Sequence, residues 1–124
     1  MNWRCDFEGS IHFLTADEGG RLSGPSAPGS RTDFYYKGDR SMCYMIHPLE
    51  YFTEKGDCPE GVRVPYDCFA RFWIIHAENR VKIHRLRLKP GVQFEVAEGA
   101  QVIATGEVTK IIGLFDDRED LRWS

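Results

Sequence analysis

The chain has 124 residues, 42% of them hydrophobic and 28% charged, with a formal net charge of −3. That length supports one domain with a core of its own. The composition excludes a disordered chain, and the acidic balance argues against a general nucleic-acid binder, which is basic overall. No apolar run approaches the ~18 residues that a membrane span needs. The start, Met1-Asn2-Trp3-Arg4-Cys5-Asp6, lacks the apolar stretch of a signal peptide, so a cytoplasmic protein without membrane contact is expected.

Residues 5–14 alternate. Cys5, Phe7, Gly9, Ile11 and Phe13 fall on one face, and Asp6, Glu8, Ser10 and His12 on the other, the period of a half-buried strand with His12 on its solvated side. Residues 15–33 then hold Gly19, Gly20, Gly24 and Gly29 with Pro25 and Pro28, a density that neither continues a strand nor starts a long helix. So long a loop in a compact domain is either functional or packed over one end of the fold. Two readings of Gly19-Gly20 stay open: backbone geometry at positive φ, or an anion site made by Arg21 and the exposed amides. No Gly-Lys-Ser or Gly-Lys-Thr follows, which excludes a nucleotide-cradling loop.

Residues 32–37 are aromatic and β-prone, and Gly38-Asp39 turns them toward 41–46, predicting a hairpin that ends at His47-Pro48. Residues 49–61 are polar and turn-rich, and Pro65 marks a strand start. Residues 68–76 read as the most buried strand, with Trp73 in the core rather than serving as a base-stacking platform, and His76 at its end.

Between 79 and 89 stand Arg80, Lys82, Arg85, Arg87 and Lys89 with no acid among them. Val81 and Ile83 alternate with them, then Leu86 and Leu88, and the phase slips between His84 and Arg85. Two short strands joined by a bulge or tight turn are predicted. Their basic side chains face solvent, either blunting an exposed edge or meeting phosphates. Val92, Phe94 and Val96 point inward in the next strand, which turns at Glu98-Gly99. The last strand alternates Val102, Ala104, Gly106 and Val108 against Ile103, Thr105, Glu107 and Thr109.

Residues 115–124 read as a short charged tail that Leu121 and Trp123 would dock. The whole is one domain, residues 1–124, with its barrel at 5–114. Six or seven short strands without a long helix make an all-β barrel or sandwich. Cys5, Cys43, Cys58 and Cys68 lie 38, 15 and 10 residues apart and include no Cys-x-x-Cys pair for zinc. They read as small hydrophobes, three of them in or beside apolar runs.

Three motifs stand in one order along the chain. A strand leads into Asp17-Glu18-Gly19-Gly20-Arg21. Arg31-Thr32-Asp33-Phe34-Tyr35-Tyr36 follows, and Phe94-Glu95-Val96-Ala97-Glu98-Gly99 precedes Gly106-Glu107-Val108-Thr109-Lys110-Ile111. In that order they resemble the third, C-terminal domain of elongation factor Tu over residues 6–114. The resemblance implies a six- to seven-stranded antiparallel Greek-key barrel without a cofactor. It also implies a partner surface made of Glu18, Gly19, Gly20, Arg21 and Arg31 together with Glu98 and Gly99. In the full factor this domain contacts aminoacyl-tRNA, packs on the GTPase domain and meets the exchange factor.

The present chain carries no GTPase domain. Asp33 stands where the family has an amide, and Ala97 where it has an arginine before Glu-Gly. Both departures remove RNA-contacting chemistry and favour a protein partner, as for a protein-protein interaction module or a mimic of that domain. Structured RNA held through Arg80, Lys82, Arg85, Arg87 and Lys89 is the alternative. No Gly-x-Ser-x-Gly elbow, His-Glu-x-x-His motif or metal-spaced cluster appears, and Glu98, Glu107, His84 and Asp33 read as surface charge. The expectation is a non-catalytic binding module with no metal.

Overall fold

A computed structural model describes residues 3–25 and 31–118. Seven antiparallel strands form one sheet: β1 (Phe7–Phe13), β2 (Asp33–Tyr36), β3 (Ile46–Thr53), β4 (Gly56–Asp57), β5 (Asp67–Ile74), β6 (Gln93–Glu98) and β7 (Gln101–Ile111). Their order is β2-β6-β7-β1-β5-β3-β4. The all-β expectation therefore holds. β1 lies inside the sheet between β5 and β7, and its side chains alternate as read: Phe7, Ile11 and Phe13 are buried, while Glu8, Ser10 and His12 are half-buried.

Aromatic packing rolls the sheet. Phe7 stacks on Phe72 with centroids 4.6 Å apart, Phe34 stacks on Phe94 at 5.0 Å, and Phe72 meets Phe94 edge-on at 5.2 Å. These four rings come from β1, β5, β2 and β6, so the edge strand β2 reaches across to the inner face of β5. Each buried ring contributes about 1.5–3 kcal/mol relative to exposure, and edge-to-face pairing adds to it. Gly106 makes room for this cluster, because a Cβ there would fall on the Phe94 ring and the Ser10 carbonyl.

Between β2 and the chain before β3, Phe34 and Tyr44 exchange two backbone hydrogen bonds of 3.1 and 2.8 Å. This single bridge replaces the predicted hairpin; β2 pairs along its length with β6 instead. Nor does Pro48 end a strand. It lies within β3, opposite Phe72, just before a register shift. β4 pairs only Phe52 and Thr53, so at Pro48 the missing N–H removes no bond to that neighbour. β3 accordingly runs on to Thr53, into the stretch 49–61 read as polar turn. β5 is less enclosed than predicted: Trp73 is buried and donates to the Trp3 carbonyl, but Phe69 is exposed.

The largest departure is at 79–89, predicted as two short strands; a helical run over 77–87 stands there instead. It is α-helical at Ala77–Asn79, π-helical at Arg80–His84 and α-helical again at Arg85–Arg87. His76 caps it, its Nδ1 accepting from the Asn79 N–H at 3.2 Å. Ala77, Arg80, His84 and Leu88 are all buried, and their spacing is that of a helix face. Two of the four are polar, so an apolar count sees only a strand-like remainder. Among the described residues no helix is long and apolar enough to cross a membrane.

Candidate functional site

β1 delivers the chain to a tightly made loop. Thr15 caps a 3-10 turn at Ala16–Glu18: its hydroxyl accepts from the Glu18 N–H at 3.3 Å, and the Glu18 carboxylate accepts from the Thr15 N–H at 2.9 Å. Gly19 leaves the turn at φ 93°, where a side chain is strained. Gly20 has a different reason to be glycine: it is buried, and a Cβ would land on the Leu14 carbonyl.

Both glycine amides are spoken for, Gly19 by the Ala16 carbonyl at 3.1 Å and Gly20 by that of Thr15 at 2.8 Å. The anion cradle suggested by the sequence therefore has no donors from these amides. Arg21 meets an anion of the chain itself, Glu98, at 3.5 Å.

That ion pair joins the loop to the β6–β7 turn, where Gly99 adopts φ 61°. A second bond does the same: the Gln101 amide donates to the Gly19 carbonyl at 3.2 Å. Glu18, Gly19, Gly20, Arg21, Glu98 and Gly99 are thus brought together. Asp33 is the register partner of Ala97, so the chain entering β2, with exposed Arg31, arrives at the end of the sheet that carries this turn. Asp33 and Ala97 face each other across β2 and β6.

His12 ties the loop to β5. Its Nδ1 lies 2.8 Å from Asp67 and its Nε2 3.0 Å from Glu18. An imidazole can donate through both nitrogens only when protonated, and these two carboxylates, Asp67 first, raise its pKa above the ordinary histidine value. Glu18 is held below the usual carboxylate range by the Thr15 amide and then by His12. The sequence reading left His12 as solvated surface; the signal it missed is an acid six residues downstream on a capped turn.

The basic stretch is not a strip of free charge. Arg80 is fully buried. Its Nε donates to Asp6 at 2.8 Å, and one terminal nitrogen donates to the carbonyls of Gly113 and Asp116 at 2.6 and 2.9 Å. Asp6 also accepts from the Ile74 N–H at 2.8 Å and from Arg118 at 3.4 Å. Arg85 donates to the Leu114 and Asp116 carbonyls. Arg87 lies over the Tyr36 ring at 3.8 Å and pairs with Asp39 at 3.1 Å. Lys82 pairs with Glu78 one helical turn back, and Lys89 is exposed. Asp6, Arg80 and Arg118 form a buried charged centre that sequence reading missed, because Asp6 falls on the polar phase of its strand.

Other expectations resolve locally. His84 is buried rather than surface; its Nδ1 is hydrogen-bonded to the Tyr36 hydroxyl at 2.7 Å, and burial lowers its pKa to about 4. Glu98 and Glu107 sit at opposite ends of the β6–β7 hairpin, facing Gln101 and Gln93 respectively. Cys5 and Cys68 are buried, with burial raising their thiols to about 11 and about 12, whereas Cys43 is exposed. Leu121 and Trp123 lie outside the described residues. Among those described, no group of three His, Cys, Asp or Glu side chains is placed to hold a metal ion.

A separate cleft of about 830 Å³ lies across the strands, lined by Ser10, His12, Phe69, Gln93, Thr105 and Glu107 among others. No protein-family model matches the chain.

Proposed function

We propose that this chain is a non-catalytic binding module that engages a protein partner. In this reading its rolled sheet is a Greek-key barrel like the third domain of elongation factor Tu. The binding surface is the loop at Glu18, Gly19, Gly20 and Arg21, with Arg31 and the Glu98-Gly99 turn beside it. The observation that carries the reading is the docking of loop on turn through Arg21–Glu98 and Gln101–Gly19. Two stretches far apart in sequence thereby make one pre-organised surface, and a surface ordered in advance loses less entropy on binding. Leu22, 94% exposed beside Arg21, supplies apolar contact.

The RNA alternative through Arg80, Lys82, Arg85, Arg87 and Lys89 has less to support it. Phosphate contacts need exposed cations, and Arg80 is interior while Arg85 and Arg87 already donate to groups of the chain.

The test is affinity capture from the source lysate with the tagged full chain, with and without nuclease, beside Leu22→Asp and Glu98→Lys. A nuclease-resistant protein held by the wild type and lost by both variants, which should melt close to the wild type, is the expected result. RNA that vanishes with nuclease, or a protein retained equally by both variants, overturns the reading.

A further inference from the structure

Four arginines of this chain share one arrangement, each lying over an aromatic ring while pairing with a carboxylate. Arg71 sits 4.4 Å over Phe52 and pairs with Asp57 and Glu50 at 3.0 and 3.3 Å. Arg40 sits 4.4 Å over Tyr35 and pairs with Glu95 at 3.1 Å. Arg87 does the same with Tyr36 and Asp39, and Arg118 with Trp3 and Asp6. A planar guanidinium gains both from the ring face and from the two oxygens of a carboxylate.

One such ring-and-carboxylate pair has no arginine. Phe69 and Glu107 both line the cleft, both are exposed, and Ser10 is the register partner of each, on either side of it. Phe69 continues the Arg71–Phe52 stack, its ring 5.4 Å from Phe52 at 21°. Two strand spacings, about 10 Å, separate the Phe69 and Glu107 backbones, and the small side chain of Ser10 leaves the space between them open. Among the described residues Glu107 has no cationic partner, unlike Glu95 and Asp67 on the same cleft, which hold Arg40 and His12.

We propose that this cleft receives an arginine side chain of a partner protein, its guanidinium stacked on Phe69 and paired with Glu107. That the occupant belongs to a protein rests on the reading above; the cleft chemistry does not. The lining carboxylates Glu54, Asp67, Glu95 and Glu107 outnumber the lining lysines Lys37 and Lys55. Lys37 follows β2 and Lys55 lies in the β3–β4 turn, and Lys37 donates to the Gln93 amide oxygen at 3.0 Å. With His12 bridging two acids, the floor presents a carboxylate to a cation and disfavours a phosphate.

The test is an NMR titration of the whole chain with N-acetylarginine amide, beside the matching lysine and leucine amides. Arginine amide should give saturable shifts at the amides of Ser10, Phe69 and Glu107. Affinity should be weak, of millimolar order for so small a ligand. Glu107→Gln should weaken it by about tenfold, the scale of one charge-assisted contact, and Phe69→Leu should also weaken it, with both spectra otherwise native. Glu60→Gln, exposed and outside the cleft, should leave it unchanged.

Absent or unsaturable shifts, equal shifts with leucine amide, or indifference to Glu107→Gln would overturn the proposal. Equal affinity for lysine amide would overturn the guanidinium assignment. The titration needs neither a partner nor the 15–21 loop. Its failure therefore leaves the loop-and-turn reading standing, and failed capture leaves the cleft standing.

Discussion

At the scale of single residues, adjacent glycines differ in what they do. Gly19 is glycine for its positive φ, with nothing near its missing Cβ; Gly20 is glycine because the Leu14 backbone occupies that space. Gly19→Ala should cost about 1–2 kcal/mol of backbone strain. Gly20→Ala should cost about 1–3 kcal/mol of overpacking and, unlike Gly19→Ala, shift the Leu14 amide resonance. Urea unfolding checks both, and an unchanged midpoint for Gly20→Ala would mean that the loop is not packed on β1. The φ requirement was legible in the sequence as Gly-Gly; the contact was not, since it depends on where the chain leaves β1 after Phe13.

His84 and His12 have pKa values shifted in opposite directions. His84 is lowered to about 4 by burial and then by Arg87, against an unfolded value near 6.5. Between those values the unfolded chain binds the proton and the folded chain resists it. The contribution is therefore fully present above about pH 6.5 and is lost as pH falls toward 4, by up to about 3 kcal/mol. His12 is raised by Asp67 and Glu18, so its contribution is complete below its unfolded pKa and fades as pH rises through its folded one. Urea midpoints across pH should climb from 4 to 6.5, and His84→Asn should flatten that climb. A wild-type profile already flat in this range would place His84 in water.

At the scale of elements, the helix at 77–87 is anchored by charge. Arg80 and Arg118 converge on Asp6, and all three side chains are excluded from solvent. Breaking a buried pair leaves its partner uncompensated, so Arg80→Met should cost about 3–5 kcal/mol. Replacing all three residues with apolar ones of similar volume should cost much less, because no stranded charge remains. Equal losses for the single and triple variants would show that helix packing, not charge, sets the cost.

The same centre explains what the sequence concealed. β1 was legible because its buried positions, Phe7, Ile11 and Phe13, are apolar and alternate. β6 and β7 were legible by their apolar buried residues, although a register shift at Val96–Ala97 and the adjacent burial of Ile103 and Ala104 break the alternation there. The helix was not, because Arg80 and His84 occupy its inward stripe and their partners, Asp6 and Tyr36, lie far away in sequence. The loop-and-turn contact was legible only in its parts: Arg21 and Glu98 each stood out, but their pairing needs the β6–β7 register.

At the scale of the whole molecule, the two ends of the described chain are closed on each other. The Ile112 and Gly113 amides donate to the Asp6 and Cys5 carbonyls at 3.0 and 2.9 Å. Beyond them Leu114 is fully buried, and the carbonyls of Gly113, Leu114 and Asp116 take the donors of Arg80 and Arg85. A chain ending at Ile112 would lose the Leu114 side chain, worth about 1.5–3 kcal/mol of burial. It would also leave donors of the buried Arg80 without acceptors, at about 1–3 kcal/mol or more each, and those of the half-buried Arg85 at less. Against a typical total of about 5–15 kcal/mol, those losses take most of the stability.

A chain ending at Ile112 should therefore melt far below one ending at Arg118, a comparison in which 119–124 are missing from both. Arg4→Ala should shift the melting temperature little, because its pair with Asp116 is exposed and screened. Equal melting of the two shortened chains would mean that the sheet holds without its closure, and would move the centre of stability from the joined ends to the phenylalanine cluster.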